Sequence, residues 1–233
     1  MIAIIGNGNV ASHLNKALGD KTEVVSVNSH TLANLPDNAD VILICVTDSA
    51  IKQVVQKLPE TKAIIAHTSG SVGLDIFEGK SCETGVFYPL QTFSKEKPLN
   101  YEEIPVFIEG SSSEAVRKLK NLASLFSKDV READSKARRQ IHLASVFACN
   151  FTNALAGIAE ELLQETGVDF SVLIPLLKET VNKLEILSPK AAQTGPAVRK
   201  DMEILKKHLS MLETKPEIQK IYSEISELII SSH

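Results

Sequence analysis

The stretch that decides the fold is Met1-Ile2-Ala3-Ile4-Ile5-Gly6-Asn7-Gly8-Asn9-Val10-Ala11. An apolar run without polar alternation reads as a strand covered on both faces, and the glycine pair behind it reads as a sharp turn into a helix. In that context Gly6 permits the tight turn, Gly8 lets a pyrophosphate approach the backbone, and small Ala11 allows close helix–strand packing. Free N–H groups at the helix start then meet the phosphate charge. Gly6, Asn7, Gly8, Asn9 and Val10 are therefore the expected phosphate-side residues of a dinucleotide site. The glycine spacing alone is weak; the strand before it and the helix after it give it force.

Working outward, short apolar runs alternate with amphipathic stretches as far as Asp134. Strands are expected at Met1–Ile5, Glu23–Val27, Val41–Val46, Ala63–His67, Gly85–Tyr88, Pro105–Glu109 and Asp129–Glu132. Helices are expected at Asn9–Leu18, Ser49–Lys57 and Ser113–Ser127. This alternation implies an α/β domain, a Rossmann-type doubly wound and mainly parallel sheet built by right-handed crossovers. After Asp134 the strand signals stop. One long helix from Ser135 to about Glu165 is expected, ended by Gly167, then helices over Asp169–Leu187 (interrupted or kinked at Pro175), after Pro196 and after Pro216. The expected organisation is a dinucleotide-binding domain over 1–134 and an all-α C-terminal domain for substrate and dimerisation over 135–233.

Composition narrows the function classes. The 233 residues are 43% hydrophobic and 23% charged with a net charge of −4, ordinary for a globular protein. Lys and Arg are scattered, which leaves no footprint for nucleic acid or an anionic membrane. Cys45, Cys82 and Cys149 form no close pair, which fits a reducing cytoplasm and argues against a disulfide framework or a thiolate metal site. No secretory signal is expected, because the first apolar run lacks a basic flank. Ile141 to Ala159 carries no charged residue, but His142, Ser145, Asn150, Thr152 and Asn153 would be costly in hydrocarbon, so a buried helix is the reading.

The second strand runs into Asn28-Ser29-His30 without a carboxylate. An acid there would bind the free ribose hydroxyls of NAD and repel a 2′-phosphate, so this neutral trio suits NADP rather than NAD; the bland alternative is an ordinary loop. It also counts against a methyltransferase, which would want an acid at that point. Thr47 and Asp48 leave the third strand at the ligand-binding edge, with Asp48 equally readable as a helix N-cap. His67, Thr68 and Ser69 leave the next strand at that edge, and Tyr88, Gln91 and Thr92 follow the one after. In the long helix, His142, Cys149 and Asn153 fall within about 40° of one another, with Asn150 about 80° from His142. That polar stripe is either a buried hydrogen-bond network or a substrate-facing surface. Thr194-Gly195-Pro196 with Arg199 reads as an anion-binding helix start or as a plain helix boundary. His67, Ser69 and His142 are the proton-transfer candidates; Tyr88, Gln91, Asn150, Asn153 and Arg199 are the substrate candidates.

Taken together, the glycine turn, His67-Thr68-Ser69-Gly70-Ser71, Pro89-Leu90-Gln91-Thr92-Phe93, the His142…Asn150-Phe151 helix and Thr194-Gly195-Pro196…Arg199 resemble a group of bacterial Rossmann-like proteins. These are usually labelled NADP oxidoreductases and are similar in layout to pyrroline-carboxylate reductases and deazaflavin-dependent NADP reductases. The resemblance implies a Rossmann domain with a helical domain that often dimerises. Tyr88 departs from it, standing where His is expected. The long helix also lacks the Lys that β-hydroxyacid dehydrogenases carry four residues before Asn, since Val146 precedes Asn150 and Cys149 precedes Asn153. The expected activity is hydride transfer between NADP and a small C=O or C=N substrate, in a cytoplasmic homodimer. The alternative is a non-catalytic dinucleotide-binding or redox-sensing protein.

Overall fold

A computed structural model of the chain describes residues 1–233 and divides into two compact units, Met1–Phe151 and Thr152–His233. The first unit contains all seven expected strands: β1 (Ile2–Ile5), β2 (Val24–Val27), β3 (Val41–Ile44), β4 (Ile64–His67), β5 (Thr84–Pro89), β6 (Val106–Gly110) and β7 (Val130–Glu132). They form one sheet in the order β2-β1-β3-β4-β5-β6-β7. Every pairing is parallel except β5 with β6. β1, β3 and β4 are buried along their whole length, as their unbroken apolar runs require.

One face is covered by α1 (Asn9–Gly19) and α3 (Ser113–Ala123), whose Leu14, Leu18, Leu119 and Leu122 pack on Ile4, Leu43 and Phe87. The other is covered by α2 (Asp48–Lys57), which buries Ile51, Val54 and Val55 against Ile5, Ile42 and Ile65. The α/β class and the mainly parallel, doubly wound sheet stand as read from the sequence. α3 ends at Ala123 rather than Ser127.

The helices beyond the sheet differ from expectation in instructive ways. The long helix is α4 (Ser135–Ser145), a π-helical turn over Val146–Phe151, and α5 (Thr152–Gln164). The unit boundary falls at 151/152 inside this run rather than at 134/135, so α4 stays with the sheet. Pro175 does not kink a helix; it sits in the first turn of α6 (Ile174–Lys183), where its missing N–H costs nothing. After the short α7 (Pro189–Ala192), the helix expected at Pro196 begins only at α8 (Met202–Met211), capped by the Asp201 carboxylate; α9 (Pro216–Ser232) completes the second unit. The run Ser135–Gln164 is long and apolar enough to cross a membrane by length and composition, and none of its most apolar window is buried within the chain.

What holds α4 on the sheet is polar. Arg138 is 0% exposed, and its guanidinium is paired with Glu109 at the end of β6 and bonded to the carbonyl of Val72. Glu109 also accepts from the backbone N–H and hydroxyl of Ser135, at 2.9 Å and 2.8 Å. A buried pair of this kind is costly to break one-sidedly, because the abandoned charge stays buried. Arg138→Ala should lower unfolding free energy by about 3–5 kcal/mol in urea titrations, and Arg138→Met together with Glu109→Gln should lose less than Arg138→Ala.

Candidate functional site

Gly6 has φ +125°, and a Cβ there would stand 2.2 Å from the carbonyl oxygen of Cys45, so no side chain fits. Gly8 differs: a Cβ on it would meet nothing within 4 Å, which leaves open the path a pyrophosphate would take. Gly8 is also the N-cap of α1, and no side chain occupies the helix's free N–H groups. A cleft of about 420 Å³ opens here, lined by Gly6 to Val10 and by Ser29, His30, Thr47 and Thr68. No acidic residue lines it. Open glycine, uncapped helix terminus and an acid-free lining fit a dinucleotide with an additional phosphate.

Two expected residues, Asn28 and Asp48, take other parts, and Asn9 makes a second contact. Asn28 Oδ1 accepts from the backbone N–H groups of His30 and Thr31, so Asn28 shapes the turn that presents Ser29 and His30. Asp48 is neither the N-cap of α2, which is Thr47, nor part of the cleft lining. Asn9 lines the cleft, and its side chain also donates to the carbonyl of Phe93 at 2.8 Å. His13 supports the same loop from α1, with its ring nitrogens 2.9 Å from the Ser94 carbonyl and 3.0 Å from the Tyr101 hydroxyl. Sequence patterning hid His13, since a helical His on an apolar face has no distinguishing signal.

The loop leaving β4 corrects two proton-transfer candidates. His67 is fully buried, accepts from Ser69 N–H at Nδ1 (3.2 Å), and has Nε2 3.4 Å from the Gly73 carbonyl. Burial, reinforced by the Arg138 charge, depresses its pKa to about 4, so the ring stays neutral and sealed. Ser69 is also buried, and its hydroxyl accepts from the N–H groups of Ser71 and Val72. Both residues build the loop rather than line the cleft, and His67 does not share a cavity with His142.

That loop nonetheless reaches His142 through a residue with no side chain. A Cβ on Gly70 would stand 2.7 Å from both His142 Nδ1 and Tyr88 Cζ. These two side chains meet each other: the Tyr88 hydroxyl lies 2.9 Å from His142 Nδ1, with the rings edge to face. They line a second cavity of about 340 Å³ with Gln91, Thr92, Ser145, Cys149 and Asn150. Asn150 arrives because the π turn is wider than an α turn, so each residue there advances less than about 100° and the 80° offset closes. Asn153 and Arg199, expected here as substrate residues, belong to the second unit and are exposed there. The anion site expected around Arg199 is not built, since the nearby helix starts later and carries an acidic cap.

The buried His67 carries a pH signature. Its folded pKa lies below the unfolded value, so the unfolded chain binds the extra proton and stability falls as pH drops from 6.5 toward 4. The expected slope is about 1.4 kcal/mol per pH unit from this group, and His67→Asn should flatten it in unfolding titrations.

A profile of the family described as Domain of unknown function (DUF2520) matches residues 104–229. Among curated proteins none matches the chain. Among solved structures, the "putative NADP oxidoreductase BF3122" of Bacteroides fragilis superposes with a TM-score of 0.90 at 38% identity, covering 99% of this chain and 97% of that one. The reductive aminase of Aspergillus terreus, in complex with NADPH and ethyl levulinate, gives 0.71 at 12% identity over 100% and 95% of the two chains. The 1-pyrroline-5-carboxylate reductase of Streptococcus pyogenes gives 0.62 at 14% identity over 99% and 98%. The last two likenesses concern the fold, and they agree with the layout expected from the sequence. The chain belongs to the DUF2520 family, with a Rossmann-like fold that it shares with its Bacteroides fragilis relative.

Proposed function

We propose that this chain is an NADP-dependent oxidoreductase transferring a hydride between the cofactor and a small C=O or C=N substrate. The observation that carries the reading is the link between the two cavities. Thr68 lines the glycine-turn cleft and Gly70, two residues on, touches Tyr88 and His142 in the polar pocket. Ligands of open α/β sheets sit beyond the carboxyl ends of the strands, where Thr47, Thr68 and Tyr88 lie. The names of the Bacteroides oxidoreductase and of the Aspergillus aminase in complex with NADPH agree with this direction. When bound, the reduced nicotinamide supplies the hydride; the chain's residues orient substrate and cofactor and balance charge.

The phosphates would be held by the N–H groups behind Gly8, and the 2′-phosphate by Ser29 and His30. Calorimetry should therefore show NADPH binding more tightly than NADH. Ser29→Asp should reverse that order, and Gly8→Val should abolish binding while the far-UV CD spectrum stays native. Tighter NADH binding by the unmodified chain would overturn the NADP assignment. Intact NADPH binding without turnover on any ketone or imine would favour a non-catalytic redox sensor.

The reading extends to assembly. Phe147 is 63% exposed, and in the second unit Leu176, Ile186, Met211 and Leu228 are at least as open, beyond what a monomer leaves to water. A homodimer covering these surfaces accounts for the exposed apolar run Ser135–Gln164 without a membrane, with two-fold pairing the commonest solution. We place this dimer in the cytoplasm, in keeping with three free cysteines. Light scattering at micromolar concentration should give twice the chain mass; a monomer would reject the pairing.

A further inference from the structure

We propose that Tyr88 is the proton donor of the reaction, and that His142 holds its hydroxyl in the donating orientation. The proposal rests on the reductase reading above and names the acid that reading leaves open. His67 and Ser69 are spent inside the β4 loop. That leaves the second cavity, where the Tyr88 hydroxyl and a ring nitrogen of His142 lie 2.9 Å apart, while the Ser145 hydroxyl in the same lining donates to the His142 carbonyl.

Three features fix the pair. Tyr88 is the penultimate residue of β5, at the carboxyl edge of the sheet, and its ring packs on Phe107 and His142. His142 is one helical turn beyond Arg138, the buried anchor of α4, so its ring is aimed by a fixed helix. Gly70 closes the third side so tightly that no larger residue leaves the pair in place. The electrostatics suit an acid that must stay protonated until used. Burial pushes the Tyr88 phenol up, and Asp48 at the start of α2 adds to this. A hydrogen bond with Ser145 and the Arg138 charge, both on α4, pull it partly down.

With Nδ1–H of His142 donating to the Tyr88 oxygen, the phenolic hydrogen lies on the Ser145 side and turns into the pocket when a substrate acceptor is there. The substrate carbon accepts a hydride at the expense of reduced nicotinamide. The π pair of its C=N or C=O bond moves onto the nitrogen or oxygen, and that atom takes the proton from Tyr88. The phenolate left behind is stabilised by the His142 N–H and is reprotonated from water as product leaves. Charge and atoms balance, with one hydride and one proton added to the substrate. His142 acts through Tyr88, as a positioning residue.

The test uses the full-length protein with NADPH and a panel of cyclic imines and small ketones. Tyr88→Phe keeps the ring and removes only the proton, so kcat should fall by about 10²–10⁴-fold with NADPH affinity unchanged. His142→Asn keeps an N–H close to the Tyr88 oxygen and should retain far more activity than His142→Leu, a rescue that a purely structural role would not produce. Tyr88→Phe turning over within about threefold of the unmodified enzyme would overturn the proposal and leave the reductase reading standing. Equal loss in both His142 variants would overturn the positioning role. An unmodified protein that binds NADPH and reduces nothing on the panel would overturn the reductase reading itself, and this proposal with it.

Discussion

The ion pair between Arg138 and Glu109 is the contact on which the candidate site hangs. A fully buried guanidinium needs a matching anion and satisfied N–H groups, and this one draws on β6, on the loop before Leu74 and on α4 itself. Those demands leave α4 one way to sit on the sheet. His142 follows at the next turn and lands against Tyr88 because the anchor has already set the helix's rotation. Guanidinium Nε has no partner, so the arrangement is not cost-free. A residue of hydrophobic character would give α4 comparable cohesion, with less control over where its polar stripe points.

The glycines show how differently one residue type can be constrained. At Gly6 the backbone is left-handed and the strand-end carbonyl of Cys45 crowds the α-carbon, so the demand is internal to the fold. At Gly8 nothing in the chain is near, and the demand comes from outside, from whatever approaches the helix N-terminus. At Gly70 the neighbours are the two side chains of the polar pocket. Only the first two could be anticipated from spacing. The third lies in a Thr-Ser-Gly-Ser run that reads as an ordinary loop until β5 and α4 are folded against it.

The second unit tells a related story about surfaces. Its helices carry apolar faces that the chain does not cover, with Ile186 at 83% exposure the extreme. A helix that is apolar all round signals burial, but sequence does not say whether the covering surface comes from the same molecule. The buried helix expected at Ile141 to Ala159 follows from a run without charge whose polar residues would be costly in hydrocarbon, and neither signal names the covering surface. The fold supplies too few elements to bury it.

By itself the sequence determined the sheet and the phosphate-binding turn, because both depend on local signals. Unbroken apolar runs mark strands covered on two faces, and a glycine pair between strand and helix marks a backbone that must turn sharply and stay bare. It also determined which side chains near the second strand lack charge. Only the tertiary structure decided the polar pocket. His67 looked as able as His142 to handle a proton, since residue type and strand-end position carry no record of burial; folding sealed one ring in a loop and left the other facing a cavity. A π turn moved Asn150 toward His142 and broke the period on which Asn153 was placed. A helix start shifted past Arg199 because Asp201 is the better cap. Each of these outcomes depends on contacts between segments far apart in the chain, and such contacts leave no periodicity to read.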